Sequence, residues 1–205
     1  YVAEMSQDGF DPHLDLAKHA GAVTQEDINK HNSGVASLKA LRKNFKVVNY
    51  SATYGIGAAK LSRETGMSEG EAKLLLDAYW ERNWAVAQFS DDNLRKVKRI
   101  NGQMWVQNPV STYWHTLRYE KDVFSTLNQS TGAYCFDRWV AGYLNARPNI
   151  VGQFHDESIN SIKKGEEEEH KAVLVAAIGK LNDDLKLNVE LGIDVQFGNK
   201  YSEIH

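Results

Sequence analysis

Between residues 37 and 54, Leu38, Leu41, Phe45 and Val48 recur at three- and four-residue intervals. Only an α-helix gathers such a set onto one face. The chain is therefore committed to a long amphipathic helix that needs another layer to cover its apolar stripe. Gly55-Ile56-Gly57 interrupts the pattern and predicts the end of the helix. Ser68 with Glu71 three residues later has the form of a capping box, so a second helix is expected over about 68–82, with Leu74, Leu75, Ala78 and Tyr79 inward. Residues 84–98, 119–146 and 166–186 also read as helical. The first forty residues read as short helices with turns at Asp8-Gly9, Gly21 and Asn32-Ser33-Gly34.

Elsewhere the period changes to two. Asn101-Gly102 is the strongest hairpin signal in the chain, and Val97 to Ile100 can pair with Met104 to Val106 across it. Residues 149–162 place two short apolar segments around the charged tip His155-Asp156-Glu157, which predicts strand, tight turn, strand. Residues 187–197 are expected to form a last strand. The fold class expected is α+β, mainly helical with a small antiparallel sheet. Pro12, Pro109 and Pro148 each fall at an expected element boundary.

Composition narrows the function classes. The chain has 205 residues, 42% of them hydrophobic and 25% charged, with a net charge of −3. This is enough chain and enough apolar content to bury a core. The single cysteine, Cys135, excludes an internally disulfide-stapled scaffold and a thiolate metal cage. No run of eighteen apolar residues is present, so no spanning helix is expected, nor does a signal peptide open the chain. The sequence starts Tyr1-Val2-Ala3-Glu4 without an initiator Met and is expected to be a piece of something longer. Positive charge is clustered at Lys39, Arg42, Lys43 and Lys46 and again at Arg95, Lys96, Lys98 and Arg99, while Glu166 to Glu169 mark a solvated helix face.

Two features carry chemistry. On the long helix, Arg42, Lys46 and Tyr50 are four residues apart. At 100° per residue they lie within an arc of about 80° and span roughly 12 Å. Arg offers a fork for phosphate oxygens, Lys a point charge, and the ring a surface for a sugar or base. The face can hold a nucleoside triphosphate; it can equally be a solvated basic face with an edge tyrosine. At the hairpin tip, Asp156 can bind Mg²⁺ with Glu157 or His155 assisting, or the three residues can form a polar turn. Side chains alternate along a strand, so not all three can serve one ion. Mg²⁺ takes one or two protein carboxylates and completes its shell with water and phosphate.

Taken together, these residues resemble a known family. Arg42-x3-Lys46-x3-Tyr50-x3-Tyr54-Gly55 is similar to motif B, the fingers helix of family A DNA polymerases, the bacterial DNA polymerase I group. Gln153-Phe154-His155-Asp156-Glu157 is similar to motif C, the palm hairpin of that family. The two lie in the family's order about a hundred residues apart. Leu127-Asn128-Gln129-Ser130-Thr131-Gly132-Ala133 resembles the glutamine-bearing palm helix, and Asp11-Pro12-His13 the segment preceding motif B. The terminal His205 also has its parallel in the family. The resemblance covers essentially the whole chain and looks closest to the phage replicative branch.

That resemblance implies template-directed DNA synthesis by two-Mg²⁺ nucleotidyl transfer from dNTP to a primer 3′-OH. It implies fingers over 1–95, with motif B at about 37–54, and the C-terminal part of the palm over 96–205, with motif C at about 149–162. His13, Arg42, Lys46 and Tyr50 match dNTP contacts, Lys46 also acting in catalysis. Tyr54, Gly55, Gln129 and His155 match DNA-binding positions, Asp156 matches a catalytic metal-binding aspartate, and Glu157 supports it. Tyrosine at position 50 is similar to the phage enzymes that accept dideoxynucleotides. Expected partners are primer–template DNA, dNTPs and an upstream portion bearing motif A, as a separate chain or a missing segment. The setting implied is the cytoplasm.

Several residues depart from the family pattern. Asn49 to Tyr54 is more polar than expected, Ser125 stands where many relatives have Asn, and Gly102-Gln103-Met104 lacks the arginines common in that hairpin. No motif A strand, thumb or exonuclease segment is recognisable. A non-catalytic DNA- or partner-binding module reusing the fold is the principal competing reading. A metal-dependent nuclease is a third, and it has no use for the Arg42–Lys46–Tyr50 face.

Overall fold

A computed structural model of the protein describes residues 2–5, 7–146 and 149–204. The expected boundary at Pro148 and the terminal His205 lie outside the described residues. Among these residues the order is α1 (Val2–Met5), α2 (Pro12–His19), α3 (Gln25–Asn32), α4 (Lys39–Thr53), α5 (Ala58–Thr65), α6 (Glu69–Arg82) and α7 (Trp84–Leu94). Strands β1 (Lys98–Ile100), β2 (Gln103–Gln107) and β3 (Trp114–Leu117) follow, then α8 (Val123–Tyr143), β4 (Asn149–Phe154), β5 (Glu157–Ser161) and α9 (Glu167–Leu185). The class is α+β, as expected. No described helix is long and apolar enough to cross a membrane.

The chain forms two compact units. One comprises the chain up to Gln107 together with Tyr113–Leu127; the other comprises Asn108–Thr112 and the chain from Asn128 on. In the first unit, Phe45, Val48 and Ala52 of α4 pack with Leu16 and Ala17 of α2, Leu61 of α5, and Ala72, Leu76 and Tyr79 of α6. The stripe that predicts α4 thus forms the centre of this core. Burying the leucine, valine and phenylalanine side chains among these contributes about 1.5–3 kcal/mol apiece before entropy is counted. Thr53 ties α4 to α6 through a 2.8 Å hydroxyl contact with Tyr79. On α6, Leu74 is exposed, contrary to expectation, and Ala72 and Leu76 face the core instead. The capping box is present, Ser68 accepting from the Glu71 amide and the Glu71 carboxylate accepting from the Ser68 amide.

The same unit carries the three-stranded antiparallel sheet β1–β2–β3. Asn101 and Gly102 both have positive φ and close the two-residue hairpin in which Ile100 pairs with Gln103. Helix α7 stops at Leu94, four residues short of the expected end, because Lys98 is already paired with Trp105. Val106 and Leu117 are buried on the inner sheet face with Val123 and Leu127.

In the second unit, α8 and α9 bury Cys135, Trp139, Val140, Tyr143, Leu174 and Leu181 between them. The indole of Trp139 donates to the Leu174 carbonyl at 3.2 Å. Burial raises the Cys135 thiol pKa, as befits a packing residue. Antiparallel β4–β5 is attached to α8 by the Tyr143–Ser158 hydroxyl bond of 2.7 Å. The strand expected over 187–197 is not formed. Leu187, Leu191, Ile193 and Val195 still pack alternately onto this core, but the segment has no ladder partner among the described residues. Alternation sets which side chains turn inward; a strand also needs a neighbour for its amides and carbonyls. At Leu191 the Asn182 side chain takes that neighbour's place, with bonds of 2.9 Å to both the amide and the carbonyl.

Candidate functional site

The groups singled out on the first unit are held by α2 and α4. Asp11 caps α2, its carboxylate accepting from the amides of His13 and Leu14 at 2.9 and 3.0 Å, and Pro12 occupies the first turn, where a missing N–H costs nothing. The same carboxylate accepts from Nε of Arg42 on α4. Burial works against its charge, yet the Arg42 bond and the two amides together hold the Asp11 carboxyl below its usual value. Arg42 is gripped through Nε only, so its two terminal nitrogens have no hydrogen bond among the described residues.

His13 is buried at the start of α2, with its ring 5.9 Å from that of Tyr50. Burial pushes its pKa down; Asp11 opposes this, and the Arg42 and Lys46 cations add to the depression. The imidazole is therefore neutral at pH 7. Lys46 lies 5.6 Å over the Tyr50 ring, which is 54% exposed. Arg42, Lys46 and Tyr50 share a face as their spacing predicts, and His13 joins them there. Beside them His31, Lys39, Arg42, Lys43 and Lys46 line a cavity of about 500 Å³. A pocket walled by one arginine and three lysines, with a histidine at its side, is suited to a polyanion.

Helix α4 ends in a Schellman motif. The Gly55 amide bonds to the Ala52 carbonyl at 2.8 Å and the Ile56 amide to the Ser51 carbonyl at 3.0 Å, with Gly55 at φ +69°. A Cβ at Gly55 would be strained and would approach Lys121. Tyr54, the last residue before the motif, is exposed.

On the second unit, Phe154 pairs with Glu157, so His155-Asp156 is a two-residue turn. His155 has φ +49°, a left-handed conformation that costs a non-glycine residue about 1–2 kcal/mol. His155 and Asp156 are exposed and Glu157 is half-buried. A bulge at Val151, between the Ile150–Asn160 and Gly152–Ile159 pairs, twists the hairpin just before the tip. Among the described residues no three His, Cys, Asp or Glu side chains form a metal cluster. The donor set at the tip, one exposed carboxylate with a second beside it, fits part of a Mg²⁺ shell.

Gln129 is exposed on α8. Its neighbours Ser130 and Thr131 accept from the fully buried Asn108 amide at 2.7 and 2.9 Å, while the Asn108 oxygen accepts from the Val110 and Ser111 amides. This clasp keeps the 108–112 loop, including left-handed Thr112, on the helix. Sequence reasoning missed Asp11 as the Arg42 anchor, Asn49 beside His13, and Asn108. Asp11-Pro12 and Asn108-Pro109, both turn-initiating pairs, carry a local signal, but neither reveals its distant partner; Asn49 carries none.

The fold has a solved counterpart. It matches "POL domain of Pol1 from M. smegmatis complex with DNA primer-template and dNTP" with a TM-score of 0.66 and 22% identity, over 84% of this chain and 31% of that one. Residues 2–133 match the model of DNA polymerase family A, and the chain belongs to that family. DNA polymerase I of Streptococcus pneumoniae serotype 4 is 30% identical over 98 residues, which are 48% of this chain and 10% of that protein. DNA polymerase I of Treponema pallidum is 25% identical across the whole of this chain and 22% of its own length. The chain thus spans about a tenth to a fifth of the curated relatives it matches.

Proposed function

We propose that this chain is the fingers and C-terminal palm portion of a DNA-directed DNA polymerase, with fingers over 1–95 and palm over 96–205. The observation that carries the reading is the α2–α4 face of a family A chain: Arg42 held by Asp11 with its terminal nitrogens available, Lys46 and a neutral His13 beside it, and Tyr50 exposed one turn on. The reaction is attack of a primer 3′-OH on the α-phosphate of a dNTP, with release of pyrophosphate. Arg42, Lys46 and His13 bind and neutralise triphosphate oxygens, which positions the α-phosphate for in-line attack. Tyr50 packs on the deoxyribose. Tyr54, Gly55, Gln129 and His155 contact primer–template; Gln129 reads minor-groove acceptors common to every base pair, which suits a check of pair shape. Asp156, supported by Glu157, would hold Mg²⁺, which supplies charge neutralisation and activation of the attacking hydroxyl when bound. Tyrosine at position 50 supports kinship with the phage branch. The proposed setting is the cytoplasm.

The chain is proposed to work with an upstream portion carrying motif A, the first catalytic aspartate and a strand. Two observations support this. A cavity of about 1940 Å³ is lined both by β5 and by the ladderless 187–197 segment. Beside it His170 Nε2, and on β5 Asn160 Oδ1, are buried without a hydrogen-bond partner. Primer extension with dNTPs and Mg²⁺, by this chain alone and mixed with the upstream portion, tests the reading. Extension in the mixture only is expected. No extension by a mixture shown to associate would favour a binding module instead.

A further inference from the structure

Asn49 precedes Tyr50 on α4 and faces the first turn of α2. Its side-chain nitrogen donates to the Pro12 carbonyl at 3.3 Å and lies 3.0 Å from Nδ1 of His13. A backbone carbonyl can only accept, so the amide must turn its NH₂ group, and not its oxygen, toward α2. The same NH₂ group then meets His13, whose Nδ1 must accept and whose ring proton must sit on Nε2. We infer that Asn49 is a positioning residue that locks His13 in the Nε2–H tautomer, so that the ring offers a neutral N–H donor to a phosphate oxygen. The inference rests on the reading of His13 as a dNTP contact.

The chemistry explains why an amide is needed. With Nδ1 protonated instead, Nε2 would turn a lone pair toward the phosphate, and attraction would become repulsion without any change of shape. Nothing else can do this work among the described residues, since His13 Nε2 makes no hydrogen bond and Nδ1 has only Asn49. Asn49 is itself anchored twice, by the Pro12 bond and by its place on α4, where its carbonyl accepts from the Thr53 hydroxyl at 2.8 Å. An aspartate at this position would have the same shape and the opposite polarity, accepting where the amide donates.

The test reads the tautomer directly. The ¹⁵N chemical shifts of the His13 ring are measured in this chain, with ¹⁵N-histidine and at a pH where the ring is neutral. The native chain should show a proton on Nε2. Asn49→Asp should move it to Nδ1, and Asn49→Ala should give a mixture, with circular dichroism confirming the helical fold in each. A native Nδ1–H tautomer, or the native pattern persisting in Asn49→Ala, would overturn the inference. A second arm measures Mg²⁺–dNTP affinity in the polymerase assembled with the upstream portion. Asn49→Ala should weaken it about threefold and His13→Ala about tenfold, and the double variant Asn49→Ala/His13→Ala should be no worse than His13→Ala alone. If the tautomer moves and affinity does not, the positioning stands and the assignment of His13 to the nucleotide fails.

Discussion

The face on α4 and the tip of the β4–β5 hairpin both carry groups assigned to the reaction, but they are built in opposite ways. On α4 each group has a named support: Asp11 holds Arg42, Asn49 meets His13, and Lys46 lies over Tyr50. At the tip, Asp156 is exposed and the specialisation lies in the backbone, in a left-handed His155 and a bulge four residues before it. The difference teaches where preorganisation resides. A helix face can be pinned by side chains from its neighbours. A two-residue turn has little room for them and fixes its side chains through φ and ψ.

The comparison can be broken at the tip first. In the assembled polymerase, Asp156→Asn should lower incorporation by about 10³-fold, at the upper end of the loss from removing one preorganised charge contact. The thermal midpoint should stay unchanged, because the side chain is exposed; retained incorporation would remove the tip from the site. Lys46→Ala should cost roughly 10²-fold in incorporation and leave the circular dichroism intact. Unchanged single-turnover rates would sink its role on the triphosphate.

Asp11→Ala should separate the two regions by stability. Loss of the α2 cap costs about 1 kcal/mol, and Arg42 loses its anchor as well, so denaturant unfolding should shift here and not for Asp156→Asn. An equal midpoint for both variants would mean that the α4 face is no better supported than the tip.

Acidification gives a smaller signal of definite sign. The His13 pKa is depressed in the fold, so below about pH 6.5 the unfolded chain takes up a proton that the folded chain refuses, and stability falls. The Asp11 pKa is also depressed, so its contribution is present above about pH 3.8 and is lost as pH drops through its lower folded value. Denaturation midpoints followed from pH 7.5 to 5.5 should fall less in His13→Gln than in the native chain. The smallest change expected is in selectivity: Tyr50→Phe should leave dNTP incorporation nearly unaltered and sharpen discrimination against dideoxynucleotides. Equal terminator use by both enzymes would separate Tyr50 from the sugar.

What the sequence made legible was local. The α4 stripe, the Ser68–Glu71 box, the Asn101-Gly102 turn and the hairpin around Asp156 are each specified by residues a few positions apart, and each is formed. The grouping of Arg42, Lys46 and Tyr50 follows from helical pitch alone. What escaped depends on distant partners. Leu74 has the right composition for the core but lies on the wrong side of α6 once α4 and α5 have chosen theirs. The 187–197 segment has a strand's alternation and lacks a strand's neighbour. Helix α5 and strand β3 were not anticipated, the first sitting just past a glycine interruption and the second entered through left-handed Thr112. Asp11 and Asn49 reveal their roles only when α2 lies against α4, 31 and 36 residues away in the chain from the groups they meet.

The double duty of Asp11 has a mechanical consequence. One carboxylate both starts α2 and grips α4, so neither helix can rotate about its own axis without breaking a cap or an ion pair. The pair behaves as a clamped lever. Any swing of this face must carry His13 and Arg42 together at fixed spacing, and the bending has to be taken up beyond the ends of these two helices. Left-handed glycines mark such joints at both ends of the pair, Gly9 just before α2 and Gly55 just after α4.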